Sequence, residues 1–197
     1  AAEERLHAPI MPLFTIHEYQ PLLDSADMTP AHWLAIARDI EAHYDDYDGF
    51  VVLHGTDTMA YTASALPFIM QGLAKPVIVT GAQIPLCEVR SDGRANLITA
   101  LQLAADYPIP EVCLYFRDTL LRGCRSTKVD ADGLQAFGSP NYPPLGTAGV
   151  DIGIDWVRVL PPPPPGVPLA VHELVPPRVA ALRLFPGISA EILRNVL

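Results

Sequence analysis

An open α/β fold is predicted, with a mostly parallel, twisted sheet and helices on both faces. Three observations predict it. Short apolar runs at 49–55, 76–81 and 111–116 read as strands buried inside a sheet. Longer stretches at 58–73 and 92–107 place apolar residues at helical spacing between those runs. Strands alternating with helices require crossover connections, which give a parallel, Rossmann-like sheet.

The elements follow in order. "FTIHEYQ" (14–20) alternates in polarity and predicts a strand. Thr29-Pro30 has the chemistry of an N-cap and first helical residue, so a helix is expected through Tyr44 with Trp33, Ala37, Ile40 and Tyr44 on one face. "GFVVLHG" (49–55) is the strand expected to be buried on both faces. The helix from Thr58 to Leu73 would align Met59, Ala63, Leu66, Met70 and Leu73, with Lys75-Pro76 ending it and the Lys75 cation favouring its dipole. "PVIVTG" (76–81) is the next strand. Ser91 is the expected N-cap of the following helix, and "EVCLYF" (111–116) is a third buried strand. Beyond Arg117, many glycines and prolines predict hairpins and loops.

"LPPPPPGVP" (160–168) is a stiff, extended segment. The expected organisation is one α/β domain over 1–159, a proline-rich linker over 160–177, and the start of a second, smaller α/β domain over 178–197. That last part would hold a strand at 178–185 and a helix capped by Ser189.

Composition excludes several function classes. Half of the 197 residues are apolar, enough to bury a core. A formal charge of −9 argues against nucleic acid, whose phosphates need clustered Lys and Arg. No apolar stretch reaches the roughly 20 residues of a membrane span. The first residues, "AAEERLHAPIMPLF", lack a basic signal-peptide n-region. Cys87, Cys113 and Cys124 are odd in number and widely spaced, which predicts neither a disulfide framework nor a zinc site and fits a reducing cytoplasm.

Chemistry concentrates at strand ends. In open α/β sheets, ligands bind outside the carboxyl ends of the strands, where Thr56-Asp57 and Gly81-Ala82-Gln83 would lie. Asp57 suits a helix N-cap, but capping leaves the two flanking hydroxyls, Thr56 and Thr58, unexplained. A Thr hydroxyl needs a base to act as a nucleophile. A desolvated Lys amine held by a carboxylate can serve. The 13 basic residues include only two lysines, Lys75 and Lys128, and Lys128 sits in a glycine-rich loop. "DADG" (130–133) begins like a calcium loop but lacks the closing acid, so a turn is expected. His54 is expected to be structural. There is no G-x-G-x-x-G and no G-x-S-x-G, so neither a dinucleotide site nor a hydrolase elbow is predicted. No metal or cofactor is expected.

The segments "LLDSADMTP", "LHGTDTMAYTASAL", "KPVIVTGAQIP", "RSDGRANL", "RGCRSTKVDADGLQAF", "SPN" and "FPGIS" resemble, in order, the bacterial type I L-asparaginases. The resemblance implies hydrolysis of L-asparagine to L-aspartate and ammonia, in the cytoplasm, by a homodimer or homotetramer. It implies that Thr56, Asp57 and Lys128 form the catalytic group. Ser25 would bind the substrate's α-carboxylate and Asp57 its α-ammonium, while the Ala82 backbone would lie against the amide. Thr127 matches a residue of an allosteric site.

The family's first strand leads to T-G-G-T-I, which carries the primary nucleophile, and this sequence contains no Gly-Gly. Most of the small second domain also has no counterpart here, and Ala26 stands where many relatives have a polar residue. The 197-residue chain alone is therefore expected to show little or no turnover. Two alternatives remain at this level: a glutaminase or amidotransferase subunit of the same family, and a non-catalytic amino-acid-binding relative.

Overall fold

The structure, a computed structural model, describes residues 11–173 and 181–196. Its elements in chain order are α1 (Pro30–Ala42), β1 (Phe50–Leu53), α2 (Met59–Ile69), β2 (Met70–Gln71), β3 (Val77–Thr80), α3 (Gly93–Asp106), β4 (Val112–Phe116), β5 (Thr119–Arg122), β6 (Thr127–Lys128), β7 (Phe137–Gly138), β8 (Gly146–Ala148), β9 (Ile152–Ile154), β10 (Ala170–Val171) and α4 (Ala190–Val196). Short 3₁₀ turns occupy Ser25–Asp27 and Gly123–Arg125.

A six-stranded sheet has the order β1-β3-β4-β5-β8-β9. The pairs β1/β3 and β3/β4 are parallel, and the remaining three are antiparallel. Four strands, β1, β3, β4 and β8, thus run one way and two run the other. The tight hairpin between β4 and β5 sets both central residues, Arg117 (φ 46) and Asp118 (φ 63), in the left-handed region, as the twist of a two-residue connection demands.

Side-chain alternation divides the core in two. Val77, Val79, Val112, Leu114 and Phe116 face one side, where they pack with Ile36, Ala37 and Ile40 of α1 and with Met59, Ala63, Leu66 and Ile69 of α2. Ile78, Cys113 and Tyr115 face the other, against Ala100, Leu103 and Ala104 of α3. Helices therefore cover both faces, as expected. Right-handed crossovers between strands added in one direction would put α2 and α3 on the same face. Since they lie on opposite faces, one of the two crossovers is left-handed, the uncommon hand.

Several expectations are corrected. Residues 14–20 form no strand. They run as irregular chain over α1, with His17 Nδ1 3.0 Å from Asp39 Oδ1 and the Tyr19 hydroxyl donating to Asp39 Oδ2 at 3.2 Å. Burial, then the Asp39 charge, pushes the Tyr19 pKa up to about 12. Phe14 and Ile16 stay exposed, so no buried face stands behind the alternation. β1 is an edge strand, half-buried rather than enclosed, and Leu53 is exposed. The helix beginning near Thr58 stops at Ile69, because Met70-Gln71 pairs with Ala170-Val171. Met70 and Leu73 stay buried without being helical. Lys75 consequently serves another helix: its Nζ donates to the Tyr44 and Tyr47 carbonyls just past the end of α1.

The N-cap of α3 is Asp92, and Ser91 accepts the Gly93 N–H at 3.0 Å. Residues 181–185 are not a strand, and 178–180 lie outside the described residues. Ser189 does cap α4, its Oγ accepting the Ile192 N–H at 3.2 Å.

The proline-rich segment rests on the sheet. The Leu160 N–H donates to Glu111 Oε1 at 2.6 Å, and Glu111 is paired with Arg122 through both carboxylate oxygens. Farther on, β10 pairs with β2.

Candidate active site

Where α2 and α3 diverge to opposite faces, the loops leaving β1 and β3 must also part. In an open sheet, such a parting is what leaves a crevice between the carboxyl ends of the two strands. Thr56 closes β1 on one wall and Gln83 closes β3 on the other. The Thr56 hydroxyl donates to Gln83 Oε1 across the gap at 2.8 Å.

Lys128 reaches this crevice from β6. The β6–β7 hairpin pairs Lys128 with Phe137, and Phe137 sits edge-on to Phe116 of the core, 5.0 Å between ring centres. So anchored, Lys128 Nζ donates to Thr56 Oγ1 at 2.9 Å and to Asp57 Oδ1 at 3.1 Å. The Lys128 side chain is 21% exposed and that of Asp57 70% exposed, so the carboxylate faces open solvent across the ammonium. Asp57 is not the helix cap: Thr58 holds the N-cap position of α2 and makes no side-chain capping bond.

The loop after Lys128 is a turn, as its sequence predicts. Asp130 Oδ1 accepts the Asp132 and Gly133 N–H groups, both at 2.9 Å. Those bonds, Gly133's first, hold the Asp130 carboxyl below its usual range. Among the described residues no cluster suited to a metal occurs. Gln83 Nε2 donates to the Ala131 and Gly133 carbonyls, tying the β3 wall to the Lys128 loop.

The β3 wall is rigidly held. Asp92 is 5% exposed, and its carboxylate accepts the N–H groups of Gln83 and Ile84 rather than capping its own helix. Asn96, one turn on, donates to the Gly81 carbonyl and to Asp92, and accepts the Arg117 N–H of the β4–β5 hairpin. Ala82 lies between these anchors, close against Gly93 of α3.

Ser25 comes from the 3₁₀ turn capped by Asp24, whose Oδ1 accepts the Ala26 N–H at 2.9 Å. It abuts Gly55, where a β-carbon would collide with Ser25 Oγ. The structure thus brings Ser25, Thr56, Asp57, Ala82 and Lys128 to one end of the sheet. Thr127 is exposed on β6 beside Lys128.

His54 turns away. Its Nδ1 lies 2.7 Å from the Gly55 carbonyl and its Nε2 2.8 Å from Thr62 Oγ1, which also accepts from Trp33 Nε1. A carbonyl can only accept, so Nδ1 carries the proton. Burial lowers the His54 pKa, against a smaller opposing effect of the Gly55 bond.

Sequence reasoning put Gln83 at a strand end without giving it a contact, and it missed Asp92 and Asn96 as members of the site. A carboxylate and a carboxamide four residues apart at a helix start were the available signal.

An open α/β sheet with a Thr–Lys–Asp cluster at its strand ends defines the class of protein to which the chain belongs. The family model described as Asparaginase, N-terminal matches residues 4–160, and the chain belongs to that family. It is 59% identical over 193 residues to L-asparaginase 1 of Escherichia coli K12, covering 97% of this chain and 56% of that protein. It is 52% identical over 186 residues to the mouse 60 kDa lysophospholipase, covering 94% of this chain and 33% of that protein. Among solved structures, L-asparaginase I of Vibrio cholerae superposes with a TM-score of 0.90 at 56% identity, covering 97% of this chain and 58% of that one. The chain spans about half the length of the asparaginases it matches.

Proposed function

We propose that the protein is an L-asparaginase acting on L-asparagine, and that this chain supplies the larger part of its catalytic domain. The observation that carries the reading is the Lys128 ammonium lying on both the Thr56 hydroxyl and the Asp57 carboxylate.

In this reading, Asp57 receives the α-ammonium, Ser25 the α-carboxylate, and the Ala82 backbone lies along the side-chain amide. A threonine hydroxyl attacks the amide carbon. The new C–O bond displaces the C–N bond, the departing nitrogen takes a proton and leaves as ammonia, and water then hydrolyses the ester. Once its ammonium has lost a proton to solvent, Lys128 accepts the proton from Thr56 or from a water held against it and passes it to the departing nitrogen, while Asp57 keeps the amine in place. In the arrangement observed, the Thr56 proton points at Gln83 and its lone pair at Lys128, so the hydroxyl must turn before that transfer. Cytoplasmic residence and a homodimer or homotetramer belong to the same proposal. Within the described residues, no helix is long and apolar enough to cross a membrane.

The test is ammonia release by the full natural chain, with asparagine and glutamine compared side by side. Turnover of asparagine is expected, falling at least about 100-fold in kcat for Lys128→Met, the scale of a lost general base. Equal activity of this variant would refute the assignment. Little or no turnover is expected of the 197-residue chain alone.

A further inference from the structure

We infer that Thr58 and Gly55 are positioning residues that set the distance between the α-carboxylate and α-ammonium subsites, and so make a free α-carboxylate count in substrate selection. This rests on the functional reading above.

Four observations carry it. Thr58 stands at the N-cap of α2, where a hydroxyl ordinarily accepts a backbone N–H of its own helix. It makes no such bond. It donates instead to the Ser25 carbonyl at 2.6 Å, across 33 residues of sequence. The helix keeps its backbone start, because the Tyr61 and Thr62 N–H groups both reach the Thr58 carbonyl. Removing the hydroxyl therefore releases the Ser25 turn without taking a capping bond from α2.

Gly55 acts from the other side. A β-carbon there would collide with Ser25 Oγ and with Ser25 Cβ at 2.7 Å, so only glycine admits the turn this close to the strand end. Gly55, Thr56, Asp57 and Thr58 are consecutive, and Thr58 and Gly55 grip Ser25 from the ends of this four-residue span. The Ser25 hydroxyl, which makes no hydrogen bond among the described residues, is thereby held at a fixed separation from the Asp57 carboxylate. A zwitterion bridging the two must match that separation.

The experiment uses the full natural chain and two amides. One is L-asparagine. The other is 3-aminopropanamide, which is asparagine without its α-carboxylate. For Thr58→Val, KM for asparagine should rise roughly three- to tenfold, the scale of one lost hydrogen bond, with kcat within about twofold. The same variant should leave kcat/KM for 3-aminopropanamide unchanged, and Thr58→Ser should restore the asparagine KM. Gly55→Ala, which crowds Ser25 directly, should show the same selective loss and serves if the valine variant does not fold.

An equal loss on both amides, or an unaltered asparagine KM in both variants, overturns the inference while leaving the asparaginase reading intact. If the unaltered protein neither releases ammonia from asparagine nor binds aspartate by calorimetry, the functional reading falls and takes the inference with it.

Discussion

His54 shows how one side chain near the site is excluded from its chemistry. Its two nitrogens are occupied by Gly55 and Thr62, and burial lowers its pKa from the ordinary 6.5. The folded state then binds fewer protons than the unfolded state as the pH falls through 6.5. This contribution to stability is complete above 6.5 and is lost as the pH drops below it towards the folded value. Unfolding midpoints measured from about pH 7 to pH 5 should decline more steeply for the natural protein than for His54→Gln, and parallel slopes would refute the account. The sequence placed His54 at a strand end and predicted a structural role. The Trp33–Thr62 relay behind it joins residues 29 apart, which no local pattern contains.

At the level of elements, the buried pair Glu111–Arg122 joins three segments. Glu111, 4% exposed, precedes β4, Arg122 ends β5, and both reach the chain at 158–160 through the Arg158 carbonyl and the Leu160 N–H. Tyr142 lies beneath the guanidinium, 4.5 Å from ring centre to Cζ. Removing one partner of such a pair strands the other charge in the interior. Glu111→Ala should therefore cost about 3–5 kcal/mol in chemical denaturation, more than a surface pair would. A loss below about 1 kcal/mol would show that Arg122 finds water when its partner is gone. Buried strands β3 and β4 were legible because sheet interiors demand continuous apolar runs. The end of α2 was not, since Met70 and Leu73 continue the helical spacing and only the distant β10 diverts the backbone. Residues 14–20 misled for the opposite reason: their alternation matches a strand, yet Asp39 of α1 is their partner.

Across the molecule, the fold class and the strand-end location of the site follow from the order of apolar runs. The hand of the crossovers does not, because the same run lengths serve either hand. That hand decides where the crevice opens, so the sequence could place Thr56 and Gln83 at strand ends without showing that they face each other. The β3 wall of the crevice and the Lys128 loop that Gln83 touches are also built differently. Gln83 is moored through Asp92 and Asn96 to the first turn of a 14-residue helix, whereas Lys128 rides on a two-residue strand and an exposed turn. Warming should consequently loosen the Lys128 loop before the β3 wall. Amide exchange followed by mass spectrometry should rise first across 127–133 and only later across 81–84, and simultaneous release would contradict this. The ammonium would then swing clear while the opposite bank still kept its shape, so heat should idle such a protein, reversibly, well before it melts.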